Sequence, residues 1–144
     1  MKRSLGVLLL SLGLVAAPLG GVAAAKGGGQ SADGHPAARA SAGCYGSSCT
    51  GRDPIAMGCS GDAITVEGKS TTSGRIELRY SSACGANWAR LVNGAGYYYQ
   101  VDNARGEESH FTASSANSWT DMVDGTVYAR ACVYNSGWTC TDFH

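Results

Sequence analysis

Three histidines are the side chains best suited to acid–base chemistry near neutral pH. His35 lies in a stretch rich in glycine and alanine, His144 is the last residue, and only His110 falls in a strand-like segment. The chain contains no G-x-S-x-G, H-E-x-x-H or phosphate-binding loop. No spacing among the acidic residues singles out the pair that glycoside hydrolysis needs. The sequence therefore indicates no catalytic residues, and we expect a protein that is not an enzyme.

Six cysteines are the other residues that could carry chemistry, as metal ligands or as disulfides: Cys44, Cys49, Cys59, Cys84, Cys132 and Cys140. A zinc site usually has C-x2-C pairs, and this chain has none. An even number of cysteines in an exported protein is typical of disulfides. We therefore predict that all six cysteines form disulfides, with no metal and no other cofactor.

The N-terminus has the pattern of a secretory signal peptide. Lys2 and Arg3 precede an apolar run from Leu5 to Leu14, and small residues lead to a cleavage position after Ala25. This run is shorter than the roughly 20 apolar residues that a membrane-spanning helix needs. We therefore expect residues 1–25 to be removed and the protein to be secreted and extracellular, without stable membrane insertion.

Residues 26–43 contain no aromatic and no branched aliphatic side chain. Such a segment cannot bury enough apolar surface to offset its ordering entropy, so we predict a flexible tether rich in Gly, Ala and Ser. Residues 44–144 then form a single domain. Its charged residues show no cluster of Lys and Arg, which argues against nucleic acid as a partner.

Alternation of apolar and polar residues predicts strands throughout this domain. The predicted strands are 62–67, 75–80, 88–92, 97–101, 108–113, 126–134 and 138–141. Residues 114–124 are expected to form a long loop with one helical turn. Short strands at this spacing predict an all-β fold, a small antiparallel β-sandwich or barrel of about seven strands. Disulfides are expected to stabilise its thin core.

The stretch "RIELRYSSACGANWARL", residues 75–91, illustrates how the strands are expected to pack. Period-two alternation places Ile76, Leu78 and Tyr80 on the core face. We expect Trp88 to pack the next strand onto the same core, and the other two tryptophans to be core residues as well. The opposite face of strand 75–80 is predicted to be solvated and carries Arg75, Glu77 and Arg79.

Predicted hairpins select one disulfide pattern. Pairing of 62–67 with 75–80 brings Cys59 close to Cys84, because these residues flank the outer ends of the two strands. A three-residue loop at 135–137, with Gly137 in the left-handed conformation, places Cys132 opposite Cys140 and Tyr134 opposite Trp138. Cys44 and Cys49 remain and close a small loop.

The segments "CYGSSCTGRDP" and "ELRYSSACGANWAR" carry a resemblance to a known family. Their patterns are C-x-G-x-x-C-x-G-x-D-P and R-Y-S-x-x-C-x-x-x-W-A. They resemble a family of small secreted or membrane-tethered domains of unknown function from Gram-positive, mainly actinobacterial, bacteria. The resemblance implies a secreted domain with these boundaries, and it implies no activity, cofactor or catalytic residue.

The run Tyr97-Tyr98-Tyr99 is the strongest candidate for a binding surface. Alternation in a strand places one of these rings on the face opposite the other two, and exposed rings on a sheet often hold sugars or peptides. The alternative is that these tyrosines replace missing aliphatic residues in the core. We predict an extracellular binding domain for a cell-wall glycan or an extracellular protein. The alternative function is a secreted effector, either an inhibitor or a small hydrolase.

Overall fold

A computed structural model describes residues 41–144, so the predicted signal peptide and most of the predicted tether lie outside the described residues. Ala42 and Gly43 contact the domain, and the Gly43 amide donates a hydrogen bond to the Met57 carbonyl. No helix within 41–144 is long and apolar enough to cross a membrane. Nine strands are present in this region: β1 Ile64–Thr71, β2 Gly74–Ser81, β3 Ala86–Val92, β4 Tyr98–Asn103, β5 Glu108–Thr112, β6 Asn117–Trp119, β7 Val123–Asp124, β8 Ala129–Tyr134 and β9 Trp138–Cys140.

The strands form two antiparallel sheets, as the all-β prediction requires. The first sheet has the order β1-β2-β3-β6, and β7 also pairs with β3. The second sheet has the order β5-β4-β8-β9. The prediction of a helical turn within 114–124 is wrong, because this segment contributes β6 and β7 to the first sheet.

The main core lies between the inner faces of the two sheets. Ile76 and Leu78 of β2 are fully buried, as their alternation predicts, whereas Tyr80 is only half-buried. Small side chains such as Ala89 and Ala131 let the sheets approach closely. Burial of each large aliphatic side chain contributes about 1.5–3 kcal/mol to the stability of the fold. The buried residues of this core are Ile76, Leu78, Ala89, Leu91, Tyr99, Val101, Ala113, Val123, Ala129, Ala131 and Val133.

A second apolar cluster covers one end of the outer face of the first sheet. Trp88 belongs to this cluster and not to the main core, which corrects the sequence-based expectation. It pairs directly with Arg79 across β2 and β3, and directly paired residues share a face of the sheet. Its side chain is 4% exposed. The buried members of the cluster are Cys49, Cys59, Cys84, Ala86, Trp88 and Met122.

The disulfides have the pairs that the hairpin geometry predicts. The bonded pairs are Cys44–Cys49, Cys59–Cys84 and Cys132–Cys140. The first two disulfides stack on each other, so that their four sulfur atoms lie within 4.8 Å of one another. Cysteine binds a metal as its thiolate. A sulfur atom in a disulfide is not a thiolate, so these four bonded sulfurs are not available as metal ligands.

Asp62 attaches the start of β1 to the turn that follows β2. Its carboxylate accepts hydrogen bonds from the Ser81 hydroxyl at 2.5 Å, the Ser82 hydroxyl at 2.9 Å and the Ala83 amide at 2.9 Å. Burial by itself raises the pKa of this carboxyl, but the three hydrogen bonds lower it more, so the pKa lies below its usual value. The native state therefore favours the ionised form of Asp62.

We expect the free energy of unfolding to fall as the pH decreases from about 5 towards 2. The pKa values of Asp62, Glu77 and Asp124 are all lowered in the folded protein. The three ionised carboxylates therefore stabilise the native state fully above the pKa near 4 that they have in the unfolded chain. This stabilisation is lost as the pH falls through their lower pKa values in the folded protein. Urea unfolding at a series of pH values measures this slope. Asp62→Asn should flatten it, and Asp142→Asn, at a highly exposed carboxylate, serves as the control variant.

Candidate functional site

The three consecutive tyrosines have three different environments. Tyr99 is fully buried in the main core, so it cannot face a ligand, and burial raises its pKa to about 12. Tyr97 is half-buried and packs against the same core. Tyr98, on the opposite face of β4, lies on the outer surface of the second sheet. Of the predicted ligand-facing rings, Tyr98 alone reaches this outer surface.

The C-terminal hairpin places two further rings beside Tyr98. The register pairs Tyr134 with Trp138, as predicted, and the Cys132–Cys140 disulfide holds the two strands together. The left-handed residue of the turn is Ser136, with φ +56°, and not Gly137 as expected. Ser136 therefore turns the chain while the predicted pairing of the rings is preserved.

Three rings form a contiguous surface across β4, β8 and β9, and we call Tyr98, Tyr134 and Trp138 the aromatic face. The Trp138 ring lies 5.8 Å from that of Tyr98 and 5.4 Å from that of Tyr134. Tyr134 is 46% exposed and Trp138 is 48% exposed. The prediction that Trp138 is a core residue is therefore wrong, and this ring belongs to the surface.

Polar side chains continue this surface along the same face of the sheet. The His110 ring lies 5.5 Å from that of Tyr98. Asp102 accepts hydrogen bonds from Gln100 at 3.2 Å and from Arg130 at 3.0 Å. The Arg130 guanidinium in turn stacks 4.7 Å above the Phe143 ring. Hydrogen-bond donors and acceptors are therefore held in fixed positions next to the exposed rings.

His110 is the histidine that lies in a strand of the second sheet, β5. Its Nδ1 lies 3.9 Å from a carboxylate oxygen of Glu108, and both side chains are more than half exposed. A catalytic acid–base pair usually operates in a site that excludes water. The open sheet surface around His110 is suited to binding by contact.

One comparison with known proteins gives a match. The family described as "Protein of unknown function (DUF2690)" matches residues 47–132. The chain belongs to the DUF2690 family. The DUF2690 match includes Tyr98 and His110, whereas Tyr134 and Trp138 lie beyond its end. No match was found among curated proteins or among solved structures. The motif pattern and the Gram-positive range expected from the resemblance stay predictions.

Proposed function

We propose that this DUF2690 chain is a secreted, non-catalytic domain that binds a cell-wall glycan through the aromatic face. The observation that carries the proposal is the contiguity of three rings on an open sheet, two of them nearly half exposed. Large apolar rings exposed together are costly in water unless a partner covers them. The rings are tilted against each other, by 58° between Tyr98 and Trp138 and by 68° between Tyr134 and Trp138, and together they extend across three strands. Such an extended surface suits a polymer better than a small compact ligand.

The neighbouring polar groups favour a sugar as the partner. A pyranose ring has an apolar face of C–H groups that stacks on aromatic rings, and its hydroxyls need hydrogen-bond partners at the edges. Gln100, Asp102 and His110 supply such partners beside the rings. Nucleic acid is disfavoured because the Arg130 cation of this face is paired with Asp102 and Glu108 adds a further carboxylate, whereas a phosphate backbone would require an excess of cations.

Secretion is proposed from the disulfides together with the N-terminal pattern. All six cysteines are bonded in pairs, and such bonds persist in oxidising compartments outside the cytosol. Residues 1–25 have the basic, apolar and small-residue regions of a signal peptide. Mass analysis of protein from a culture supernatant would test the predicted N-terminus at Lys26.

The alternative function is a secreted effector, an inhibitor or a small hydrolase. A hydrolase would use His110 and Glu108, the adjacent titratable pair on the aromatic face. The binding function is favoured because this pair lies on open surface and the rings beside it offer contact area without enclosing a substrate. Release of soluble sugars from a glycan, lost in His110→Ala, would favour the hydrolase.

We expect Trp138→Ala to weaken binding to insoluble cell-wall glycan by about tenfold or more. Trp138 contacts both tyrosines of the aromatic face, and an aromatic residue at the centre of an interface often contributes 2 kcal/mol or more. Co-sedimentation with purified peptidoglycan over a range of glycan concentrations gives the affinity.

Tyr128→Ala is the matched control for this variant. Tyr128 is an exposed aromatic residue outside the aromatic face, so its loss should leave the affinity unchanged. Thermal unfolding should show both variants folded like the parent protein. Equal binding by Trp138→Ala and the parent would refute the proposed role of the aromatic face.

A further inference from the structure

The outer face of the first sheet carries three arginines and a single carboxylate along β2 and β3. Cross-strand pairs place Arg79 opposite Trp88 and Glu77 opposite Arg90. Arg75 lies two residues before Glu77 on the same face of β2. Because directly paired residues share a face, these charges form one continuous group.

Glu77 compensates two of these arginines. It is only 7% exposed, and its carboxylate accepts hydrogen bonds from Arg75 at 3.1 Å and from Arg90 at 2.8 Å. Burial raises the pKa of Glu77, but the two arginines lower it more, so this carboxyl stays ionised. The sequence predicted that Arg75, Glu77 and Arg79 form a solvated face. In the structure they belong to a partly buried network, which has an excess of positive charge because it holds three arginines and one carboxylate.

Arg79 has no carboxylate within hydrogen-bond distance in the part of the chain that the structure describes. Its two terminal nitrogens donate to the Thr65 hydroxyl at 2.7 Å and to the Ala63 carbonyl at 2.8 Å, both of which are neutral acceptors. A guanidinium has five N–H donors, so several of its donors are uncommitted. Burial and the nearby charge of Arg90 lower the pKa of Arg79 by more than the Glu77 charge raises it, yet an arginine remains cationic in proteins.

Arg79 lines a cleft of about 500 Å³, a volume typical of sites for small molecules. Trp119 forms another wall and is 41% exposed, although the sequence predicted a core position for it. Its indole N–H donates to the Asp53 carboxylate at 3.1 Å, which holds the ring in place. The cleft combines a fixed ring with a cation that has no carboxylate within hydrogen-bond distance among the described residues.

We propose that this cleft binds a small molecule that carries a carboxylate next to a ring. The carboxylate meets the uncommitted N–H groups of Arg79, since a guanidinium matches the planar carboxylate with two parallel hydrogen bonds. The ring of the ligand packs on Trp119. This site is independent of the aromatic face, because it lies on the other sheet and shares no residue with it.

The test compares two sugars that differ by one carboxylate. N-acetylmuramate carries a lactyl carboxylate on its ring, and N-acetylglucosamine has the same ring without that group. Isothermal calorimetry on the parent protein should give binding for N-acetylmuramate and at least tenfold weaker binding for N-acetylglucosamine. Inorganic phosphate, an anion without a ring, should also bind at least tenfold more weakly.

Substitutions at Arg79 identify the group that recognises the carboxylate. Arg79→Gln should weaken N-acetylmuramate binding at least tenfold, and Arg79→Lys should weaken it less because the charge remains without the planar fork. Trp119→Leu should weaken binding of this sugar while leaving the charge in place. Thermal unfolding confirms that each variant is folded, and Tyr128→Ala, at an exposed ring outside both the cleft and the aromatic face, is the control that should bind N-acetylmuramate like the parent. Equal affinity for all three probes, or unchanged binding in folded Arg79→Gln protein, would overturn the assignment.

Discussion

Replacing Trp88 by alanine is expected to lower the free energy of unfolding by about 3–5 kcal/mol. The Trp88 side chain is 4% exposed and packs in the second apolar cluster, on the outer face of the first sheet. Its neighbours there include Met122 and the Cys59–Cys84 disulfide. Because a disulfide constrains how far these neighbours can move, alanine would leave a cavity that the cluster cannot close.

Urea unfolding of Trp88→Ala and of Trp138→Ala measures this effect against a matched control. Trp138 is 48% exposed, so its loss should cost less than about 1 kcal/mol. The comparison separates a tryptophan that stabilises the fold from one that is available for binding. Identical unfolding curves for Trp88→Ala and the parent would show that packing of Trp88 in the second cluster does not stabilise the fold.

Removal of the Cys59–Cys84 disulfide is expected to cost about 3.5 kcal/mol on the chain-entropy estimate. This bond closes the longest loop of the three, with a sequence separation of 25, whereas Cys132–Cys140 spans 8. The shorter loop should contribute about 2.6 kcal/mol. The order of the two losses therefore tests whether loop length governs disulfide stabilisation in this domain.

Both cysteines of the pair have to be replaced. The Sγ atom of Cys59 lies 4.0 Å from that of Cys44, so a lone Cys59 thiolate could attack the Cys44–Cys49 bond. That exchange forms Cys44–Cys59, breaks Cys44–Cys49 and releases the Cys49 thiolate. Denaturant unfolding of the Cys59→Ala/Cys84→Ala double variant, compared with Cys132→Ala/Cys140→Ala, gives the two losses. A larger loss for the shorter loop would contradict the estimate.

The strands of this fold could be predicted because most of them alternate clearly. Ile76 and Leu78 lie on the core face as their period-two pattern requires. The two predicted hairpins paired four of the cysteines and left Cys44 for Cys49. The strands β6 and β7 were missed because they have three and two residues, too few for alternation to be visible. Their position depends on pairing with β3, which a local pattern does not reveal.

The positions of the tryptophans could not be predicted from the sequence. Composition favours a core position for each, yet the cross-strand register decides which face a ring occupies. Trp88 is buried on the outer face because it pairs with Arg79, and Trp138 is exposed because Tyr134, its partner, lies on the outer face of the second sheet. A register shift of one residue would have reversed either result.

The aromatic face was partly predictable and the cleft was not. Tyr98 was identified as one of three candidate rings, and the hairpin pairing of Tyr134 with Trp138 was expected from the turn. The sequence did not show that β4 lies beside β8, which brings Tyr98 next to Tyr134. Arg79 and Trp119 are 40 positions apart, and only the pairing of β3 with both β2 and β6 places them around one cleft.

The tryptophan indole N–H signals provide the most direct test of binding through the aromatic face. The chain has three tryptophans. Trp138 reports on the aromatic face, whereas Trp119 and the buried Trp88 of the second cluster both line the cleft on the other sheet. A nitrogen–proton correlation spectrum is recorded while a neutral N-acetylglucosamine tetrasaccharide, a soluble glycan fragment, is added. We predict a saturable shift of the Trp138 signal, with the signals of Trp119 and Trp88 unchanged. If the glycan binds but the Trp138 signal does not shift, or if no signal shifts at the highest glycan concentration, the proposed function would be contradicted.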